Sequence, residues 1–180
     1  MLSHSCGSRE VIESFLLANQ MKQFASDNQI GFRAKLAAKR DALRTLSATD
    51  VNLMMTDAQR LMRYLSAEWQ LKIVELASCS VWPKMGQKPW AVGPVPRVAA
   101  ELVAKDDKDE KAWDILNHVR SAFADLPLIV FERKRSDKQF RIDEGSHRAV
   151  AFYLAGFRQA FAFVGKVRND PDHNGEWDSQ

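Results

Sequence analysis

The chain has 180 residues, of which 46% are hydrophobic and 27% charged, and its formal net charge is +3. This composition supports a full hydrophobic core, and no apolar run is long enough to span a membrane. The first residues lack the basic-then-apolar pattern of a signal peptide, so we predict a cytoplasmic protein that reaches the inner-membrane face only through a partner. Two cysteines and four scattered histidines indicate neither a disulfide framework nor a local metal motif.

The charge is unevenly distributed. Residues 169–180 contain four acidic residues and no lysine or arginine, which predicts an acidic, disordered tail. The remaining chain has 26 basic and 19 acidic residues, a net charge of +7. A body of that sign favours polyanions such as DNA or nucleotides as partners.

The first 70 residues are predicted to form a helical N-terminal extension. Apolar residues at helical spacing predict one helix from Ser8 to about Asp27, a break at 28–31, a basic amphipathic helix at 33–46, and a third helix that starts at Ser47 and runs through Leu65. The basic helix supplies candidate DNA contacts, and a solvated basic face is the alternative. These candidates are Arg33, Lys35, Lys39 and Arg40.

Around residue 71 the hydrophobic period changes to that of a strand, which we predict at 71–76. A loop rich in Gly, Pro and Lys follows, in which Lys84 and Lys88 are candidate phosphate contacts beside two tryptophans able to stack on a base. Core packing of the tryptophan rings is the alternative. Residues 96–104 and a segment after residue 110 are predicted helices, and a strand is expected at 128–131.

The segment 127–166 predicts strand, turn, strand, glycine, helix and strand in that order. Gly145 stands where the second strand turns into the helix, and Ser146, His147 and Arg148 follow it directly. Unpaired amides and the helix dipole favour anions at a helix N-terminus, so these four residues form a candidate phosphate cradle. The alternative is a serine that caps the helix and an arginine exposed in its first turn.

Four stretches in this order resemble the ParB/sulfiredoxin superfamily over roughly residues 71–167. They are Ile73-Val74-Glu75-Leu76, Trp82-Pro83, Pro127-Leu128-Ile129-Val130, and Ile142 to Ala151. Gly145, Arg148 and Ala151 match the family pattern Gly-x-x-Arg-x-x-Ala that opens a helix. The resemblance implies an α/β (α+β) domain at 71–168 with a small mixed sheet and flanking helices. It also implies a nucleotide, ATP or another NTP, at this junction.

Gly-Ser-His-Arg is similar to the sulfiredoxin motif Gly-Cys-His-Arg, which places Ser146 at the position of the reactive cysteine. A serine hydroxyl lacks the thiolate nucleophile that sulfinic acid repair needs, so sulfiredoxin activity is excluded. The length and the N-terminal helices are similar to the oncogenic-suppression (Osa) proteins of conjugative plasmids. That resemblance implies ATP hydrolysis, DNA cleavage and inhibition of conjugative or T-DNA transfer through type IV secretion components.

Hydrolysis of a phosphate ester needs charge neutralisation, an oriented water and usually a divalent ion. Asp143 and Glu144 precede the cradle and are candidates to hold Mg²⁺ or orient the water, and His147 is a candidate proton donor. The alternative for the two carboxylates is a favourable place before a helix N-terminus. The hairpin residues Arg133, Lys134 and Arg135 are further candidate DNA contacts. The alternative is a hairpin turn that is exposed to solvent and binds nothing.

Two other functions stay open alongside the enzyme. One is a nucleotide-gated module that binds DNA or protein with little turnover. The other is an inhibitor that docks the basic helix on an acidic partner.

Overall fold

A sheet of seven strands runs through the described part of the chain, which in this computed structural model comprises residues 4–21, 29–81, 93–104, 126–133 and 136–167. The strands are β1 His4–Cys6, β2 Glu68–Glu75, β3 Cys79–Val81, β4 Gly93–Pro94, β5 Leu128–Arg133, β6 Ser136–Glu144 and β7 Gln159–Lys166. The α-helices are α1 Ser8–Met21, α2 Gln29–Thr45, α3 Ala48–Leu53, α4 Ala58–Ser66, α5 Val95–Ala104 and α6 Ser146–Leu154. The predicted α/β fold, a mixed sheet with flanking helices, is confirmed.

The strand order across the sheet is β1-β2-β7-β5-β6-β3-β4. Strand β5 lies at the centre, parallel to β7 and antiparallel to β6. Its residues Leu128–Phe131 are apolar at every position and fully buried, which is typical of a strand covered on both faces. The consecutive segment β5, β6, α6 and β7 has the order predicted from the sequence.

Successive side chains of β5 point to opposite faces and divide the core into two clusters. Leu128 and Val130 pack with α5 and α6 on one face. Ile129 and Phe131 pack on the other face with the helical layer formed by α1 to α4. The N-terminal helices therefore share a hydrophobic core with the sheet.

The N-terminal third differs from the sequence expectation in three places. Residues 47–65 form two helices rather than one, because Asp57 caps a new helix by accepting a hydrogen bond from the Arg60 amide at 2.9 Å. Gly31 lies inside α2, so the expected break at 28–31 is wrong from Gln29 onward. The chain also forms β1 at His4–Cys6, which pairs with the start of β2 at Trp69 to Leu71.

Several predicted features lie outside the described residues. They are Trp82, residues 84–92 of the loop predicted at 84–94, the helix after residue 110 and the acidic segment 169–180. The last two residues of that loop, Gly93 and Pro94, form β4 instead. Within the described ranges, every helix is too short or too polar to cross a bilayer.

Candidate functional site

The junction between β6 and α6 turns on a glycine in a left-handed conformation. Gly145 is the N-cap residue of α6, with φ 99° and ψ 21°. A Cβ at this position would lie 2.7 Å from Leu128 Cδ2 and 2.9 Å from Arg148 Nη2, so the backbone conformation and the crowding both require glycine. Because glycine has no side chain, the N-cap residue makes no hydrogen bond to the first-turn amides of α6. Amides in this position bind anions at helix N-termini.

Arg148 is buried beside this turn rather than exposed in the first turn of the helix. Arg148 is only 4% exposed, and its Nη1 donates a 2.6 Å hydrogen bond to the Leu126 carbonyl oxygen. Within the described part of the chain, its Nη2 atom has no hydrogen-bond partner. Burial lowers the pKa of the guanidinium, and the nearby charge of Glu144 opposes that shift.

The residues on either side of Gly145 differ in accessibility. Ser146 and His147 are partly exposed at the start of α6. Glu144 is 6% exposed, and its backbone pairs with Ile129 at the start of β5. The junction thus offers a hydroxyl and an imidazole at its surface, with a carboxylate and a guanidinium beneath them.

Asp143 is held by three side chains of α4. The Tyr64 hydroxyl donates a 2.6 Å hydrogen bond to Oδ2, Arg60 Nε lies 3.0 Å from the same oxygen, and Arg63 Nη1 lies 3.5 Å from Oδ1. The aspartate side chain is only 7% exposed. Sequence reasoning missed these three partners, although their spacing of three and four residues places them on one helix face.

The negative charge of Asp143 shifts the pKa values of Arg60 and Tyr64 on α4. Burial alone would lower the pKa of the Arg60 guanidinium, but the charges of Asp143 and its neighbours raise it overall. Burial raises the pKa of the Tyr64 hydroxyl well above its usual value, and the negative charge of Asp143 adds to this effect. Tyr64 therefore stays protonated and donates its hydrogen bond across the physiological pH range.

The predicted DNA contacts occupy a different part of the molecule. Arg33 and Lys35 are exposed on α2, and Lys39 and Arg40 are partly exposed. Lys84, Lys88, Lys134 and Arg135 lie outside the described residues, as does the side chain of Arg133 at the end of β5. The described structure thus brings together residues 143–148 of the predicted site.

Among the described residues, no group of three or more His, Cys, Asp and Glu side chains is arranged to hold a metal ion. Asp143 and Glu144 stay candidate ligands for Mg²⁺. The three α4 side chains already contact the Asp143 oxygens, so a metal would compete with them there.

An open groove of about 680 Å³ lies at the other end of α6. It is lined by Ile73 and Glu75 of β2 and by residues 156–161, and Phe157 and Phe161 are each more than half exposed in it. The groove and the Gly145 junction are separated by the length of α6. The groove therefore does not form part of the predicted phosphate site.

Comparisons of this chain with protein-family models, with curated proteins and with solved structures find no match.

Proposed function

We propose that this protein binds the phosphate groups of a nucleotide at the N-terminus of α6, with Arg148 and the first-turn amides as the anion contacts. The observation that supports this most directly is the Arg148 guanidinium. Its Nη2 atom is buried beside Gly145 without a hydrogen-bond partner in the described chain. A buried N–H group without a hydrogen-bond acceptor is unfavourable, and a phosphate oxygen at the junction would supply an acceptor.

The resemblance to ParB/sulfiredoxin and Osa proteins extends the proposal to a reaction. ATP, or another NTP, is hydrolysed with Mg²⁺ at the junction, and DNA phosphodiesters are cleaved there. In that reaction Glu144 orients the water, and His147 donates a proton to the leaving oxygen. Asp143 and Glu144 are the candidate metal ligands. Inhibition of DNA transfer through a type IV secretion system is the physiological role that the resemblance predicts.

Phosphate binding is tested by calorimetric titration of ATP and of pyrophosphate at low ionic strength. Arg148→Lys keeps the positive charge but removes the rigid fork in which Nη1 bonds the Leu126 carbonyl and Nη2 is a separate donor, so one compact ammonium would have to reach both positions. Loss of one charge-assisted hydrogen bond predicts about a tenfold or greater loss of affinity. The matched control is Arg97→Lys, because Arg97 is exposed on α5 and bonds Glu101 there. Absence of binding in the wild type would refute the proposal.

Hydrolysis is tested on the same proteins by phosphate release from ATP with Mg²⁺ and by nicking of supercoiled plasmid. Activity that is lost in Arg148→Lys and in Glu144→Gln, while Glu144→Gln still binds ATP, would assign the reaction to the junction. Binding without turnover in the wild type would instead favour the nucleotide-gated module. Equal turnover in wild type and Arg148→Lys would place the activity elsewhere.

A further inference from the structure

Asp143 connects two parts of the fold that are far apart in the sequence. It is the penultimate residue of β6 and stands two positions before Gly145. Its three partners, Arg60, Arg63 and Tyr64, all belong to α4, about 80 residues earlier in the chain. Helix α4 is thus joined, from its first turn to Tyr64, to the strand end that leads into the phosphate-binding junction.

The donors on α4 are themselves fixed by packing. Tyr64 is fully buried, its ring lies 5.4 Å from that of Trp69, and its carbonyl accepts a 2.8 Å hydrogen bond from the Trp69 indole. The Arg60 guanidinium lies 5.0 Å from the centre of the Phe15 ring, and that of Arg63 lies 5.8 Å from the Phe131 ring. Side chains held on several sides lose little further freedom when they bind a carboxylate.

This arrangement assigns a different task to Asp143 from the catalytic and metal-binding roles predicted for it. Two guanidinium groups and one hydroxyl approach the two carboxylate oxygens, and the side chain is nearly inaccessible to solvent. Such a carboxylate is suited to fixing a backbone position, because its hydrogen-bonding capacity is directed at the protein.

We infer that Asp143 is a positioning residue through which α4 fixes Gly145 and the first-turn amides of α6 in the conformation that receives a phosphate. This inference rests on the proposed function for its ligand. It makes α4 contribute to the phosphate site through its contacts with Asp143.

The inference is tested with Tyr64→Phe, Asp143→Asn and the double variant. The first readout needs no ligand: it is hydrogen exchange of two junction amides, followed by NMR under native conditions. They are the amide of Ala149, which bonds the Gly145 carbonyl at 2.9 Å, and that of Val150, the next one in α6. The second readout is the affinity for pyrophosphate. Tyr64→Phe keeps the aromatic packing and removes only the hydroxyl that donates to Asp143.

We expect faster exchange of the two junction amides in each single variant and about a fivefold to tenfold loss of pyrophosphate affinity. If Tyr64 acts through Asp143, its substitution has little further effect in the Asp143→Asn background. Arg9→Gln is the control for general destabilisation. Arg9 bonds the Leu46 carbonyl at 2.9 Å within the helical layer, so its loss should leave the junction amides unchanged.

The outcomes separate this inference from the proposed function. Suppose that the variants exchange faster but the wild type binds no pyrophosphate. This result would support the positioning of the junction by Asp143, but it would refute phosphate binding and with it the functional part of the inference. Normal pyrophosphate binding and unchanged junction amides in both single variants would overturn the inference while the proposed function stood. Equal effects in Arg9→Gln would also overturn it, because the response would then be global.

Discussion

Gly145→Ala tests whether the junction needs glycine for both backbone and packing reasons. An L-residue in the left-handed region costs about 1–2 kcal/mol. The new methyl group would also meet Leu128 Cδ2 at 2.7 Å and the Arg148 guanidinium at 2.9 Å, both in the buried interior. Overpacking of this kind costs about 1–3 kcal/mol, so we expect a total loss of about 2–5 kcal/mol in the free energy of unfolding.

Two other glycines separate these contributions. Gly156 has φ 93°, but a Cβ there would meet nothing within 4 Å, so Gly156→Ala carries the backbone cost alone. Gly165 has no left-handed backbone, but its Cβ would lie 2.7 Å from the Trp69 ring and 2.8 Å from the Phe131 ring. Gly165→Ala therefore carries the packing cost alone. The entropy that alanine removes from the unfolded chain is common to all three variants and cancels in the comparison.

The assay is urea denaturation followed by far-UV circular dichroism and tryptophan fluorescence, with the denaturant dependence compared among variants. We expect Gly145→Ala to lose more stability than Gly156→Ala by about 1–3 kcal/mol, the packing contribution. Equal losses in these two variants would show that Leu128 and Arg148 move aside freely. The crowding argument for the junction would then be wrong.

Three further predictions concern titration, thiol reactivity and helix capping. Burial raises the pKa of Cys79 from 9.0 to about 12. Between these two pH values the thiol ionises only in the unfolded chain, so the free energy of unfolding falls as the pH rises. Cys79→Ala should make the free energy of unfolding depend less steeply on pH in that range. The same burial predicts that a thiol reagent at pH 8 labels partly exposed Cys6 well before Cys79, as measured by mass spectrometry, and equal rates would contradict it. Asp57→Ala removes the cap on the Arg60 amide and should cost about 1 kcal/mol in urea denaturation, whereas Asp57→Asn, which keeps a capping oxygen, should lose less.

The segment from β5 to β7 could be predicted because its signals are local. The apolar run at Leu128–Phe131 indicates a strand buried on both faces, and the alternation in β6 ends at a glycine before a helical pattern. Each of these features depends on neighbours only a few residues apart. The left-handed conformation of Gly145 follows from the same local requirement to turn from strand into helix.

The boundaries of the N-terminal helices were less predictable because two local signals compete there. Apolar residues continue at helical spacing from Met54 through Ala58 to Leu61, which favours one long helix. The capping preference of Asp57 favours a new start, and the structure follows the cap. In α2 the outcome is the reverse: burial of Phe32 and Leu36 outweighs the low helix propensity of Gly31.

The contact of α4 with Asp143 could not be predicted from the sequence. The positions of Arg60, Arg63 and Tyr64 indicate a common helix face, but no local pattern identifies a partner 80 residues away. The same limit applies to Arg148. A first-turn arginine is expected to face solvent, and only the packed structure places it against the Leu126 carbonyl.

The burial of Arg148 bears on why this junction is built from a charged residue at all. A single hydrogen bond to the Leu126 carbonyl, or an apolar contact, would be enough to hold α6 against the chain before β5. Either contact costs less desolvation free energy than a buried guanidinium. The side chain carries a second nitrogen to a helix N-terminus, beside a glycine that leaves no room for any other side chain. A cation placed where backbone amides also point is suited to an anion, and a phosphate would satisfy both groups at once. The turn from strand into helix already accounts for Gly145, so the buried arginine is the feature that the proposed ligand would explain.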